Sequence, residues 1–501
     1  MTKLIPIEKA AAIGGGVIGG GWIARLLLVG IDVKVFDPHP EAERLVGEVI
    51  ANATRAYGAL TAVPLPPMGR LTFVKTLEEA VRDADFIQES VPERLELKRS
   101  VIEAIDKAAP ATALIGSSTS GLLPSDLQVN MAHPERLIVA HPYNPVYLLP
   151  LVELVPGTKT SGETVERAKK LYDAIGMKPA VITKEIEAFV GDRLLEALWR
   201  EALWLIKDDI CDVETLDDVI RYSFGMRWAQ MGLFQTYRIA GGEAGMRHFL
   251  AQFGPCLSWP WTKLMDVPDL DDALVDKIAA QSDAQAKGLG IRELERIRDD
   301  NLIAIMHGLK GALGGTGWGA GKQLKEFEDR LWVLASARNA AATDIDATKP
   351  LQLHTAKVHP SWLDYNGHMT EFRYLQVLGD ASDAFLRAIG IDAETAAAGS
   401  SYYTVETHIR HLAEARLGVT FAVETQVLAG QGKKLHLFHT LRDAGTGVVH
   451  ATGEHVLVHV SGGKASDPPA PVATRLAAIV AGQAGLPKPE GAGRYVGQAR
   501  G

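Results

Sequence analysis

An apolar run, Lys9–Ile13, stops at Gly14-Gly15-Gly16-Val17-Ile18-Gly19 and resumes as an apolar segment with helical spacing. A strand, then G-x-G-x-x-G, then a helix is the pattern of a turn that cradles phosphates. The first glycine permits the tight turn and the second lets backbone approach a pyrophosphate. The third lets helix pack on strand, with the phosphates at the positive helix N-terminus. The next apolar run, Val33–Phe36, ends in Asp37, an acceptor for ribose hydroxyls. An ordinary glycine turn satisfies the local pattern too; strand, helix and acid together select a dinucleotide. The predicted contacts are Gly14, Gly16, Val17, Ile18, Gly19 and Asp37. The charge of Asp37 repels a ribose phosphate, so the expected cofactor is NAD rather than NADP.

The pattern around this motif alternates. Leu71–Val74, Asp85–Ser90, Ala113–Gly116 and Leu137–Ala140 read as strands, and Ala42–Tyr57, Leu77–Arg82 and Leu95–Ala108 as helices. Alternation of this kind predicts a parallel sheet with helices on both faces. From Glu185 to Ala312 strand signal nearly vanishes. Ala188–Asp209 and Thr215–Tyr222 have helical spacing, and Trp199, Trp204, Trp228, Trp259 and Trp261 suggest a bundle with buried aromatics. Gly311–Gly321 holds six glycines and precedes a charged, alanine-rich helix, Lys322–Ala342. Beyond Pro350 one helix, Glu371–Ile389, is followed by strands at Tyr402–Arg410, Thr420–Ala429, Lys434–Arg442 and His450–Val460, an α+β pattern.

Composition excludes several classes. The 501 residues carry 52 basic and 61 acidic side chains, a net charge of −9, which is the wrong sign for a nucleic-acid partner. Cys211 and Cys256 are the only cysteines, so there is no disulfide framework and no Cys-based zinc site. His354, His359, His368, His408 and His411 form no H-x-x-x-H pair on a helix, so no metal is expected. No apolar run has membrane-spanning length and no signal peptide precedes the first strand, so a cytoplasmic enzyme without a membrane partner is expected.

Three further segments carry chemistry. Ala84–Lys98 reads ADFIQESVPERLELK, Gly116–Leu122 reads GSSTSGL, and Ala140–Val155 reads AHPYNPVYLLPLVELV. With the glycine motif, in this order, they resemble the 3-hydroxyacyl-CoA dehydrogenase family over residues 8–315. The resemblance implies that His141 is the general base, taking a hydroxyl proton as hydride leaves the same carbon, with Glu153 fixing its tautomer. It also implies that Ser120 bonds near the substrate oxygen, and that Glu93, Lys98 and Asn144 contact NAD or support the dyad. Taken singly, His141 at a strand end and a solvated Glu153 would be unremarkable structural residues.

One departure concerns substrate. The family reads Gly-Phe-Ile-x-Asn-Arg where this chain has Ala188-Phe189-Val190-Gly191-Asp192-Arg193. A carboxylate at Asp192 repels an anionic group and welcomes a cation, and Tyr143, Phe189, Trp199 and Trp228 offer aromatic faces for a quaternary ammonium. The alternative is a helix ion pair for Asp192 and packing for the aromatics.

Val358–Thr370 reads VHPSWLDYNGHMT and leads into the helix at Glu371. It resembles the start of hotdog-fold thioesterases of the 4-hydroxybenzoyl-CoA type, over residues 351–462. Asp364 would then be nucleophile or base, with backbone N–H groups near Gly367 and His368 polarising the thioester carbonyl. The alternative is a turn closed by Asp364 and Asn366, with His368 capping the helix.

Together the resemblances imply an α/β Rossmann-type NAD-binding domain over 1–185 and an all-α dehydrogenase and dimerisation domain over 186–320. A linker helix over 321–349, an α+β hotdog domain over 350–465 and a partly disordered tail over 466–501 complete the expected order. Fatty-acid degradation has no use for hydrolysing its own thioesters. Carnitine catabolism does: oxidation of L-carnitine, a cationic 3-hydroxy acid, to 3-dehydrocarnitine precedes formation of betainyl-CoA, whose hydrolysis gives glycine betaine. The alternatives are a dehydrogenase for 3-hydroxyacyl-CoA or another small hydroxy acid, with the hotdog domain a proofreading thioesterase or a silent dimerisation module. Both resembled folds dimerise, so a homodimer is expected.

Overall fold

The computed structural model describes residues 5–494, apart from 62, 64, 241, 242, 244, 256–261, 264–268, 270, 313–318, 342–344, 359–361, 392–394, 396 and 397. Trp259, Trp261, His359 and Cys256 lie outside the described residues. The chain divides into two compact units, one of Met1–Thr61 with Leu65–Glu328 and one built on Asp329–Gly501.

The first unit begins with the alternation that the sequence predicts: β1 (Lys9–Ile13), α1 (Val17–Leu28), β2 (Asp32–Phe36), α2 (Ala42–Leu60), β3 (Leu71–Phe73), α3 (Leu77–Val81), β4 (Phe86–Glu89), α4 (Leu95–Ala108), β5 (Leu114–Ser117), α5 (Pro124–Leu127) and β6 (Leu137–Pro142). Then come β7 (Leu151–Val155), α6 (Gly162–Ala174) and β8 (Lys178–Val181), in a sheet ordered β3-β2-β1-β4-β5-β6-β7-β8. The middle strands are buried on both faces, which is why they read as continuous apolar runs. Alanines in β1 and glycines in α1 let that helix lie close: a Cβ on Gly21 would meet the Val146 side chain at 2.8 Å.

The sheet is not wholly parallel. β7 runs antiparallel to β6. The link between them, residues 143–150, is too short for a crossover, so the chain can only turn back.

Helices follow: α7 (Gly191–Lys207), α8 (Val213–Tyr222), α9 (Phe224–Ala240), α10 (Gly245–Phe253), α11 (Asp272–Ala286), α12 (Ile291–Gly311) and α13 (Ala320–Ala341). α12 is tied to the sheet layer by Tyr147, which donates to Asp299 at 2.6 Å, and by an Arg55–Asp300 ion pair at 2.6 Å. Of the tryptophans expected to be buried, Trp204 and Trp228 are half-buried. Trp199 is 61% exposed, alongside Leu194, Leu195, Met226 and Phe234, an apolar face no described residue of this chain covers. Among the described residues no helix is long and apolar enough to cross a membrane.

The second unit sets β9 (Leu351–Lys357), α14 (Glu371–Ile389), β10 (Ser400–His411), β11 (Thr420–Gln431), β12 (Lys434–Asp443), β13 (Val449–Ser461), β14 (Lys464–Ala465) and α15 (Ala470–Gln483). Its antiparallel sheet runs β10-β13-β12-β11-β9 and packs one face on α14. One end of that core gathers Phe385, Ile389, Leu437 and Leu457; the other gathers Val377, Leu378, Phe421 and Leu441. Where composition suggests a loose tail, the structure has α15 instead. Leu476 and Ile479 bury an apolar face, and Gln483 accepts the Val427 N–H at a β-bulge and donates to the Lys349 carbonyl.

Candidate active site

The glycine turn is built around Asp37. Its Oδ2 accepts the Gly15 N–H at 2.6 Å and its Oδ1 that of His39 at 2.8 Å, which fixes the loop against the end of β2. Gly14 has φ +100°, and a Cβ there would lie 2.6 Å from the Ser90 carbonyl oxygen. A Cβ on Gly19 would strike the Gly14 carbonyl. Gly16, at the N-terminus of α1, differs: its Cβ would meet nothing within 4 Å. Of the three motif glycines, two are demanded by protein packing and the third leaves open space at a helix N-terminus, as a bound pyrophosphate requires. Val17 is exposed beside it and Ile18 half-buried. These residues fit NAD.

Glu93 and Lys98 serve this region indirectly. Lys98 is 1% exposed; its ammonium lies 2.8 Å from Glu89, 3.4 Å from Glu93 and 3.0 Å from the Val91 carbonyl, so within the chain it holds these two acids in place. Glu93 in turn accepts the Thr119 hydroxyl and the N–H groups of Ser120 and Gly121 at 3.0 and 3.2 Å. That fixes the turn carrying the exposed Ser120 side chain. Asn144 is exposed, just past Tyr143.

The β6–β7 register sets His141 directly opposite Glu153. Their side chains meet, Nδ1 to Oε2, at 3.0 Å, both nearly fully buried. The Tyr143 hydroxyl donates to the same Oε2 at 2.8 Å, and the N–H groups of Val190 and Gly191 donate to Oε1 at 3.2 and 3.1 Å. Positive φ at Ala188 and Phe189 turns those amides inward, a backbone cost of about 1–3 kcal/mol per residue. Burial alone would raise the Glu153 pKa, but donors from His141, Tyr143 and Gly191 outweigh it and hold the carboxyl below its ordinary value. Burial, with Glu153 beside it, pushes Tyr143 far up, so its hydroxyl stays a donor.

Asp192, in the first turn of α7, places Oδ2 3.7 Å from His141 Nε2. Burial raises its pKa, and Glu153, Glu196 and Glu93 add to the rise against the opposing His141. The aromatics divide. The Tyr143 ring lies 4.9 Å from the imidazole and is half-buried, whereas Phe189, 5.6 Å away, is fully buried and backs His141 from within the core. Trp199 points to solvent, and Trp228 lies against Phe224 with ring centroids 4.6 Å apart and planes tilted by 49°.

In the second unit Asp364 lies before α14. Its Oδ1 accepts the N–H groups of Asn366 at 2.8 Å and His368 at 3.2 Å, and its carbonyl accepts that of Gly367 at 3.0 Å. The His368 and Asn366 amides hold the carboxyl below its ordinary pKa, ionised as a nucleophile or base needs to be. The Gly367 and His368 N–H groups expected to polarise a carbonyl are thus engaged by Asp364 itself. His368 does not cap α14: its Nε2 lies 3.2 Å from Glu414.

Residues 9–186 match the 3-hydroxyacyl-CoA dehydrogenase NAD-binding domain, 189–269 that family's C-terminal domain, and 358–477 the thioesterase-like superfamily. A Rhizobium meliloti protein named L-carnitine dehydrogenase/betainyl-CoA thioesterase is 66% identical over 99% of each chain. The chain belongs to the L-carnitine dehydrogenase/betainyl-CoA thioesterase family. A Ruegeria pomeroyi family member is 54% identical over 98% of this chain and 99% of its own. The Pseudomonas aeruginosa L-carnitine dehydrogenase is 50% identical over 62% of this chain and 96% of its own, so it matches the dehydrogenase part alone. Among solved structures, an NAD-dependent pyridine-carboxylic-acid 5-dehydrogenase aligns with TM-score 0.51 and 28% identity, over 61% of this chain and 99% of that one.

Two site residues of this family member escaped the sequence reading. Glu89 is fully buried, accepting Lys98, the Ser117 hydroxyl at 2.5 Å and the Val91 N–H at 2.7 Å. An acid ending the buried strand Phe86–Glu89 was its signal. Gly191 donates to Glu153 and leaves room for Tyr143: a Cβ there would fall on the Tyr143 hydroxyl. Nothing in the sequence alone pointed to that contact.

Proposed function

We propose that the chain oxidises L-carnitine to 3-dehydrocarnitine with NAD and hydrolyses betainyl-CoA to glycine betaine and CoA. The observation that carries this reading is a carboxylate, Asp192, 3.7 Å from the free nitrogen of the catalytic histidine. The quaternary nitrogen of carnitine lies two bonds from the carbinol carbon, so a substrate with its hydroxyl at His141 brings its cation within reach of Asp192. His141 Nε2 takes the hydroxyl proton, Glu153 stabilises the resulting imidazolium, and Ser120 bonds near the substrate oxygen. Tyr143 forms an aromatic side of the cation site. NAD, when bound, supplies the hydride acceptor. Full-length similarity to relatives of this double name supports both activities.

In the hotdog domain Asp364 acts as nucleophile or as base for water. A cytoplasmic homodimer completes the reading. It is supported by the uncovered apolar residues of α7–α10 and by exposed Tyr403 and Val405 on the edge strand β10. Initial rates of NADH formation with L-carnitine, D-carnitine, 3-hydroxybutyrate and 3-hydroxybutyryl-CoA test the first activity. Turnover confined to L-carnitine is expected; turnover of the CoA ester alone would overturn it. Asp364→Ala should abolish betainyl-CoA hydrolysis and spare NADH formation. Undiminished hydrolysis would make the hotdog site lie elsewhere or its domain a dimerisation module.

A further inference from the structure

The imidazole of His141 lies between two carboxylates with different duties. Glu153 is saturated: His141 Nδ1, the Tyr143 hydroxyl and the amides of Val190 and Gly191 all donate to it. With Nδ1–H committed there, a neutral ring turns a bare lone pair from Nε2 toward Asp192 Oδ2 at 3.7 Å. A lone pair facing a carboxylate is repulsive, and one proton between them makes the contact attractive. While the pair shares a proton, His141 cannot act as a base. Besides His141, the charged groups that weigh most on Asp192 are Glu153, Glu196 and Glu93, all of them acids.

We propose that the pair rests with one shared proton and that the substrate's own positive charge removes it, so that the base is uncovered only for a cationic hydroxy acid. The inference rests on the reading of Asp192 as the cation's partner. The ammonium group replaces the imidazolium as counter-ion of Asp192, and the proton leaves to water past the Asp192 side chain, which is 27% exposed. Nε2 is then bare opposite the substrate hydroxyl. When hydride leaves the carbinol carbon, the hydroxyl proton moves to Nε2 and stays as the resting proton once the ketone departs. One proton reaches solvent per turnover, as the oxidation demands, but at substrate binding and not at product release. Burial and the surrounding acids raise Asp192's pKa, which suits a group that shares a proton at rest.

The test is proton release on forming the dead-end complex. Enzyme saturated with NADH is mixed with L-carnitine in weak buffer containing a pH indicator. About one proton per site is expected from the wild type, and none from the isostere in which carbon replaces the quaternary nitrogen. Asp192→Asn should release none and bind L-carnitine more weakly, while keeping NADH binding and betainyl-CoA hydrolysis as proof of folding. Absence of proton release from the wild type at saturating L-carnitine would overturn the proposal. The two failures are distinct: unweakened L-carnitine binding by Asp192→Asn removes the cation reading, whereas weakened binding with a silent indicator in the wild type removes only the gating.

Discussion

His141 and His439 are both buried imidazoles with polar groups facing both ring nitrogens, and they do opposite things. His141 has Glu153 on one nitrogen and Asp192 near the other. His439, in the hotdog core, has the Thr425 hydroxyl at 3.0 Å and the Ser382 hydroxyl at 2.9 Å, and its ring lies 5.1 Å from that of His455. Hydroxyls donate or accept as needed, so they satisfy a neutral ring completely. Carboxylates only accept, so they call for a proton. Burial accordingly pushes His439 well down, and His354 and His455 to about 4. Partners, not burial, separate a chemical histidine from a packing one.

The comparison breaks most visibly at His141. His141→Ala should lower NADH formation by roughly 10⁴-fold, the upper range for a general base, with betainyl-CoA hydrolysis unchanged. If both activities fall, the two sites are not independent. Glu153→Gln should cost less, on the order of 10³-fold in kcat, because the amide cannot stabilise an imidazolium as an anion does. Gly191→Ala sharpens the geometric side: displacing Tyr143 from Glu153 should cost up to about 10²-fold in kcat/KM, the usual effect of an ångström-scale shift, and steady-state kinetics would read it.

The smallest effect is on stability. His354 and His455 are neutral when folded and ionise near 6.5 when unfolded, so their contribution is whole above pH 6.5 and is lost as pH falls toward 4. Asp380, raised to about 6 by burial and by Asp383 beside it, works the other way, as does Asp383, itself raised by burial; the Asp380 contribution is lost as pH rises through 6. With His439 on their side the imidazoles prevail. Calorimetry of the full chain should show the hotdog transition falling by roughly 4–8 °C between pH 7.5 and 5. His455→Gln should reduce that fall; an equal fall would clear this cluster of responsibility.

Much of this is legible in the sequence. The strands of the parallel sheet and the helix Glu371–Ile389 announce themselves by period and apolar runs. The His141–Glu153 pair was implied by resemblance, and the register across β6 and β7 gives it a geometric cause. What stayed hidden depends on contacts distant in sequence. Lys98 pairs within the chain because Glu89 is buried beside it, and α15 forms in a Pro/Ala-rich stretch because β11 offers an apolar face. The exposure of Trp199 is equally invisible to a helical period, which marks an apolar face without saying what covers it.

Gln483 spans 56 positions to Val427 and 134 to Lys349. Its single amide therefore works as a clasp that closes only when the last helix has been made. A nascent chain that has just completed β13 still has the Val427 N–H open, and an inner N–H without a partner costs about 1–3 kcal/mol. Clipping the chain after Ser466 would return the domain to that unfinished condition, so the apparent tail sets when, during synthesis, the hotdog half can become fully stable.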